Sequence, residues 1–558
     1  MAQVAAPVRH DGVTAADEKR TMTGGQALAA MLKREGVETI FGLPGVQLDG
    51  LFNALHDERE SVRLVHTRHE QATAYMADGY ARVSGREGVC LVVPGPGVLN
   101  ASAGLATAYA CNSPVLCLTG QIRSDLIEAG RGVLHEVPHQ LEMVRSYTKH
   151  AARATTPEAI PATVQEAFRQ LRTGRPRPVE VEVPPDTLFA ESEVALLPSA
   201  GTRPRPAGDP DLIERAAKLL GEAQSPLIHA GGGVLRAGAW EELQTLAELL
   251  EAPVVLTMNG KGAISDRHYL AQSLLAGPEL TPRADVILAV GTRFVDILGG
   301  PRPMAPGQTL IRLDVDPEEI ERNQPADLAI LADAKAALAA LAERATRHNR
   351  RRESREAELT RVKRRIEALV DEVQPQAAFA RAIRAELPDE GIYVSEMTQV
   401  GYVSNFGYPV YRPNTFITAG YQGTLGYGFT TAMGAKVGRP EVPVVSINGD
   451  GGFGFTLNEL ATLVQHRIGL ITIVFNDNAY GNVRRMQHLD YGNRIIGSDL
   501  VNPDYLKLAD AFGVAGRRAD SPDALRVSLR EAIAAAEPTL IEVPVEVMPN
   551  PWRLLGLR

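Results

Sequence analysis

The sequence predicts an α/β protein built from three doubly wound parallel-sheet domains. Three observations carry this. At 558 residues the chain is long enough for three or more domains of ordinary size. Short apolar, β-branched runs alternate with stretches of helical periodicity, and the runs end in glycine turns, as expected of strands buried on both faces and followed by helices. Two segments break this alternation into blocks: 198–209, rich in Pro, Arg and Gly, and 348–365, densely charged.

Taken in order, residues 1–20 are small and polar without an apolar signal core, and are expected to be disordered. The run 62–65 reads as a short strand. It leads into Arg68-His69-Glu70-Gln71-Ala72 and then small and apolar residues through Arg82, a tightly packed helix with Glu70 at its start. Taken alone, Glu70 is a carboxylate favoured there by the helix dipole. The run 89–93 ends in the turn Gly95-Pro96-Gly97-Val98-Leu99-Asn100. In the middle block, Gly231-Gly232-Gly233 and the strand end Asp314-Val315-Asp316 are either vestiges of a nucleotide site or core turns. The stretch 348–365, with Arg350, Arg351, Arg352, Lys363, Arg364 and Arg365 among acidic residues, reads as a solvated linker helix. A strand at 392–394 precedes Thr398 and Gln399. The loop Gly420-Tyr421-Gln422-Gly423-Thr424-Leu425-Gly426-Tyr427-Gly428 lacks the spacing of a dinucleotide fingerprint.

The last block holds the most specific pattern. A strand at 442–447 runs into Gly449-Asp450-Gly451-Gly452, whose glycines let backbone N–H groups approach an anion. A helix is expected from Thr456, with Glu459 closing a capping box and Leu457, Leu460, Leu463 and Val464 on one face. A second strand, 471–475, ends in Asn476-Asp477-Asn478-Ala479-Tyr480-Gly481. The carboxylates lie 477 − 450 = 27 positions apart. A right-handed crossover brings both turns to the carboxyl edge of one sheet, where such folds bind ligands. Mg²⁺ wants oxygen ligands, some from phosphates. Asp450, Asp477 and a backbone carbonyl near Ala479 could supply them.

Composition excludes other classes. The net charge is −9 with no basic stripe, so nucleic acid binding has no support. No run approaches the length of a membrane span. Cys90, Cys111 and Cys117 lie in or beside apolar runs, which predicts buried free thiols and a cytoplasmic location.

Together these motifs closely resemble the thiamine-diphosphate-dependent decarboxylase and carboligase superfamily. The nearest likeness is to acetolactate synthase large subunits and benzaldehyde-lyase-like enzymes. The resemblance implies a pyrimidine-binding domain at 21–190, a central Rossmann-like domain at 205–345, a charged linker at 346–372 and a diphosphate-binding domain at 373–558. Glu70 would hydrogen-bond the cofactor's aminopyrimidine ring and favour the imino tautomer that removes the thiazolium proton. An apolar pocket would raise its pKa for that task. The Gly423 carbonyl would accept from the exocyclic amine. Leu425 would be the wedge that bends the cofactor, where many relatives carry methionine. Thr398, Gln399, Gly449, Asp450, Gly451, Gly452, Asp477, Ala479, Tyr480 and Gly481 would surround the diphosphate, with Asp450, Asp477 and Ala479 on Mg²⁺. Pro44 and Asn100 complete the cofactor site, and Val46, Gln47, His135, Arg293 and Met486 the substrate side. The expected reaction is decarboxylation of a 2-oxo acid, or cleavage of a 2-hydroxy ketone, with ligation to an aldehyde or ketone acceptor. In the family Glu70 and the diphosphate site meet across an interface, so a homodimer or dimer of dimers is expected.

The sequence also departs from the family. Asp477 replaces an asparagine and adds a negative charge. His135 stands where relatives have a glutamine, and unlike glutamine it can transfer protons near neutral pH; an ordinary loop histidine is the alternative. Met486 replaces a tryptophan that shapes the acceptor pocket, while Arg293 matches an arginine. The stretch 273–280 lacks the Met-His-Gly-like element of flavin-binding relatives, so FAD is not expected. The rival readings are an FAD-linked 2-oxo acid oxidase of the same fold and a non-catalytic subunit or nucleotide sensor. Intact Glu70 and Asp450 speak against the latter.

Overall fold

The computed structural model describes residues 18–202, 205–295, 299–300 and 302–557. Three six-stranded sheets, each with parallel pairing, follow one another along the chain. The first orders its strands Arg63–His66, Thr39–Gly42, Gly88–Val92, Val115–Gly120, Val179–Val183, His150–Arg153. The third orders them Phe416–Thr418, Ile392–Ser395, Val444–Gly449, Ile471–Asn476, Thr539–Pro544, Ala515–Arg518. Numbered by sequence, both run 2-1-3-4-6-5, and the middle sheet runs 3-2-1-4-5-6. The strands expected from apolar runs all form, within two residues of the expected bounds.

Strand order decides where a ligand can sit. Chain direction away from the sheet reverses between the first and third strands of the 2-1-3-4-6-5 order, and the crevice opens at their carboxyl ends. In the third sheet, Glu396 to Gln399 and Gly449 to Gly452 flank this point. In the first sheet it is flanked by the turn carrying Pro44, Val46 and Gln47, and by the turn at Gly95.

The first and third sheets are joined by two helices, Glu70–Ser84 and Tyr427–Gly438, whose backbones touch. A Cβ on Gly79 would lie 1.9 Å from the Thr431 carbonyl oxygen, and one on Gly434 would lie 1.9 Å from that of Met76. Around the crossing, Tyr75, Met76, Phe429, Ala432 and Met433 belong to one buried apolar cluster shared by both domains.

Several expectations change. The helix expected from Thr456 is broken into a short helix, Asp450–Phe453, a 3₁₀ turn, Leu457–Glu459, and a helix, Leu460–Gln465. No capping box forms: the Thr456 hydroxyl donates to the Gly426 carbonyl, and Glu459 turns away to the first domain. Val464, expected on the buried face, is partly exposed. The charged linker is not simply solvated. Its helix, Glu356–Asp371, buries Leu359, Val362, Ile366 and Val370, an apolar stripe at helical spacing that the charges masked. Arg352 donates to the carbonyls of Leu220, Gly221 and Ala223, closing the end of helix Pro210–Glu222. The turn at Gly231 and Gly233 is a close backbone packing: both N–H groups donate to carbonyls, of Val290 and Gly291, and Cβ atoms there would strike Gly291. Arg20, at the end of the expected disordered tail, pairs with Val194 in a small antiparallel ribbon, while residues 1–17 lie outside the described residues. The three cysteines are buried and free. Among the described residues, no helix is long and apolar enough to cross a membrane.

The helix crossing makes a direct prediction. Gly434→Ala puts a methyl group against a carbonyl that cannot retreat without parting the helices. A loss of roughly 1–3 kcal/mol is the usual range for such overpacking, read as a lower melting temperature. An unchanged melting temperature would contradict the backbone contact.

Candidate active site

Strands Val444–Gly449 and Ile471–Asn476 pair in parallel, with Gly449 opposite Phe475. This register delivers both turns to the same edge. Asp450 is buried there; its Oδ2 accepts from the Ala479 N–H at 3.2 Å and from Asn502 Nδ2 at 2.6 Å. Asn502 also donates to Asn476 Oδ1 at 2.9 Å. The Asp477 carboxyl lies close enough to Asp450 for the two to titrate together. Burial, then the neighbouring Asp450 charge, raises Asp477 to about 7, and burial raises Asp450 as well. Glycine is required around them. A Cβ on Gly481 would stand 2.2 Å from Asp477 Oδ2, one on Gly451 would strike the Tyr480 ring, and one on Gly452 would strike the Glu396 carboxyl. The Ala479 carbonyl takes no part in the backbone bonds that flank it, which join Tyr480 to Ser498 and Leu500 to Asn478. Two neighbouring carboxylates whose charges repel form a donor set suited to a hard divalent cation.

At the switch point, the Glu396 carboxyl is buried against the Gly420–Gly428 loop. Oε1 accepts from the Gly426 N–H at 2.5 Å, and Oε2 has no partner. Burial raises Glu396 to about 8 against the pull of the Gly426 and Gly428 amides, so it holds a proton at neutral pH. Gly423 and Gly426 have φ of +56° and +80°, backbone that favours glycine. Between them, Leu425 is half-buried and the Thr424 hydroxyl meets the Tyr75 hydroxyl at 3.2 Å. Thr398 and Gln399 are buried at the start of helix Gln399–Gly407, and Gln399 Oε1 accepts from Arg485 Nη1.

The first domain presents the other half. Glu70 opens its helix after the His69 cap, and its Oε2 accepts from Asn100 Nδ2 at 3.0 Å. The backbone before it is clamped by the third domain: Glu459 Oε1 and Oε2 each accept from the Arg68 N–H at 3.0 Å. His466 Nε2 accepts from the His66 N–H, and Gln71 donates to the Phe455 carbonyl. The apolar pocket expected around Glu70 does not form within one chain. Glu70 is half-exposed, and none of its hydrogen bonds reaches the Asp450 cluster.

On the same edge, His135 Nδ1 lies 3.0 Å from Gln47 Oε1. Gln47 Nε2 donates to the Leu134 carbonyl at 3.3 Å. That bond orients the amide, so His135 Nδ1 is the donor and Nε2 carries the lone pair. Pro44 and Val46 are exposed beside them, and Gln47 is buried. Gly95 takes φ +60°, since a Cβ would stand 2.5 Å from the His135 carbonyl oxygen; its N–H donates to Gln140, which in turn donates to the buried Glu182. The remaining candidates stand apart. The Arg293 guanidinium stacks on the Tyr421 ring, 4.3 Å from its centroid, and Met486 is half-buried on helix Gly481–Leu489. Among the described residues no hydrogen bond or ring contact joins either one to His135.

Sequence reasoning missed Glu396, Asn502, Glu459 and Arg485. Position after the strand Ile392–Ser395 could have flagged Glu396. Asn502 arrives from a loop with no motif.

Comparison with known proteins gives a consistent picture. The family description "Thiamine pyrophosphate enzyme, N-terminal TPP binding domain" matches residues 22–143, the central domain of the same family matches 213–341, and the C-terminal TPP binding domain matches 397–543. A probable acetolactate synthase large subunit of Methanocaldococcus jannaschii is 37% identical over 95% of this chain and 93% of that protein. A probable 2-ketoarginine decarboxylase of Pseudomonas aeruginosa is 36% identical, with 94% of each chain covered. An acetolactate synthase of Arthrospira platensis is 32% identical, again over 94% of each.

The paired aspartates predict a pH signature. Below about pH 7 the folded, metal-free chain keeps the Asp477 proton, whereas the unfolded chain loses it near pH 4. Stability should therefore fall as pH rises between these values and level off above about 7. A cation bound to both carboxylates removes the repulsion. The rise in melting temperature on adding Mg²⁺ is expected to be larger at about pH 8 than at about pH 6, and equal rises would exclude Asp477 as a ligand.

Proposed function

Because this chain belongs to the thiamine pyrophosphate enzyme family, we propose that it is an acetolactate-synthase-like enzyme that uses Mg²⁺ and works as a homodimer or dimer of dimers. It is a thiamine-diphosphate-dependent enzyme of carbon–carbon bonds, a carboligase or decarboxylase. The proposed substrates are 2-oxo acids, with an aldehyde or ketone as acceptor. The observation that carries the reading is the Asp450–Asp477 pair at the switch-point edge.

When bound, thiamine diphosphate supplies an acidic thiazolium carbon and an electron sink for the fragment left by decarboxylation. Asp450, Asp477 and the Ala479 carbonyl would hold the ion. The backbone of Gly449 to Gly452, with Thr398 and Gln399, would hold the diphosphate. Leu425 and the Gly423 carbonyl would set the ring geometry. Asn100 fixes one oxygen of Glu70, and the other would be the one to hold or release a proton toward the aminopyrimidine ring. His135, held through Nδ1, would offer the Nε2 lone pair to a substrate hydroxyl; Arg293 and Met486 would line the acceptor side.

The dimer reading rests on geometry. Glu70 and the Asp450 cluster lie on different domains and do not meet within one chain. Val46, Leu99 and Leu134 on the first domain and Tyr421, Val483 and Leu489 on the third are exposed apolar side chains that a second copy would cover. The FAD-linked alternative is disfavoured: Arg175 from the first domain already pairs with Asp314, Asp316 and Glu319 at the strand end of the middle sheet.

Glu70→Gln is expected to lower turnover of 2-oxo acids about 10²–10⁴-fold, followed as CO₂ release, while thiamine diphosphate still binds in a calorimetric titration. Unchanged turnover would remove Glu70 from the reaction. Measuring ligated product beside CO₂ separates a carboligase from a simple decarboxylase. In sedimentation experiments the active species is expected to be a dimer or larger, and a fully active monomer would overturn the shared-site arrangement.

A further inference from the structure

Arg485 is a buried cation that the site as described leaves unexplained. It lies on helix Gly481–Leu489 and is 5% exposed. Nη1 donates to Gln399 Oε1 at 2.5 Å and, at 3.4–3.5 Å, to the carbonyls of Pro549 and Met548; Nη2 donates to Asn482 Oδ1 at 2.6 Å. Every acceptor is neutral. Nε is buried and donates to nothing, and among the described residues no carboxylate stands within ion-pair distance. A buried cation paired only with neutral groups is disfavoured unless an anion completes it.

The neighbouring anions are those of the candidate metal turn. The Asp477 carboxylate lies over Gly481, the first residue of the helix. Arg485 follows Gly481 by four residues, one turn along the same face. Burial lowers Arg485, and Tyr402, Asp477 and Asp490 pull the other way. Arg485 therefore bonds Gln399 directly and lies within electrostatic reach of Asp477. When ionised, Asp477 puts one more negative charge there than an asparagine would, beside the place read as the diphosphate site.

We propose that Arg485 is a positioning residue of the cofactor site: its guanidinium holds Gln399 and offsets the Asp477 charge, so that an aspartate and a diphosphate can share one crevice. This rests on the thiamine-diphosphate reading given above. It goes beyond that reading by tying two residues into one electrostatic unit. Loss of Arg485 should weaken cofactor affinity, and that loss should shrink when Asp477 is also replaced.

The test is calorimetric titration of the full-length protein with thiamine diphosphate at saturating Mg²⁺. Arg485→Gln is expected to weaken binding about tenfold or more, as for loss of a charged hydrogen-bonding group. In an Asp477→Asn background the same change should cost less than about threefold. Each loss is measured against the affinity of its own background. Wild-type affinity in Arg485→Gln, or an equal loss in both backgrounds, would overturn the pairing. Should Arg485→Gln fail to fold, Arg485→Lys decides. It keeps the charge and is expected to stay within about threefold, and a tenfold loss would refute the charge role. A wild-type protein that binds no thiamine diphosphate would overturn the cofactor reading and this inference together. A binding wild type matched by Arg485→Gln would overturn this inference alone.

Discussion

The contact between helices Glu70–Ser84 and Tyr427–Gly438 governs the rest of the molecule. At Gly79 and Gly434 no side chain separates the two backbones. One helix begins with Glu70, and the other begins just after Gly426. Fixing their distance therefore fixes the two ends at which the candidate chemistry sits. Glu459 reinforces this by accepting the Arg68 N–H, so that the third domain sets the backbone from which Glu70 projects. The crossing explains why glycine and small residues crowd both helices: they permit an approach that larger residues would prevent.

Electrostatics in the third-domain crevice follow from burial more than from any single pair. Glu396, Asp450 and Asp477 all have raised pKa values, and in each case desolvation is the leading cause. Glu396 responds by keeping its proton and spending one oxygen on the Gly426 amide. The aspartates respond by titrating together. Sites with such perturbed acids are candidates for function, and here the perturbation marks the turn that the strand–helix–strand spacing singles out.

Much of this was legible in the sequence, because the informative signals were local. Apolar runs marked two strands of the first sheet and three of the third, and the spacing of Asp450 and Asp477 put both turns at one edge, which needs only a parallel crossover. Asn100 with Glu70, and Gln47 with His135, were grouped through resemblance, and the structure joins each pair by a hydrogen bond. What stayed hidden was long-range. Glu459 looked like a capping residue because its partner, Arg68, is nearly four hundred positions away. The helix Glu356–Asp371 looked solvated because charged residues outnumber its four buried apolar ones. Asn502 carries no pattern, since its role comes only from where its loop lands.

The loop holding His135 packs on Gly95 through backbone atoms and leaves Leu134 exposed. It lies far along the chain from the glycine crossing and shares none of its contacts. Substitutions at Leu134, His135 or Val46 can thus accumulate without loosening the helices that hold Glu70. Sequence change is tolerated at this rim and restrained at the glycine crossing, where an added methyl group meets backbone. A lineage with this architecture would diversify at the rim of the first domain long before it changed at its centre.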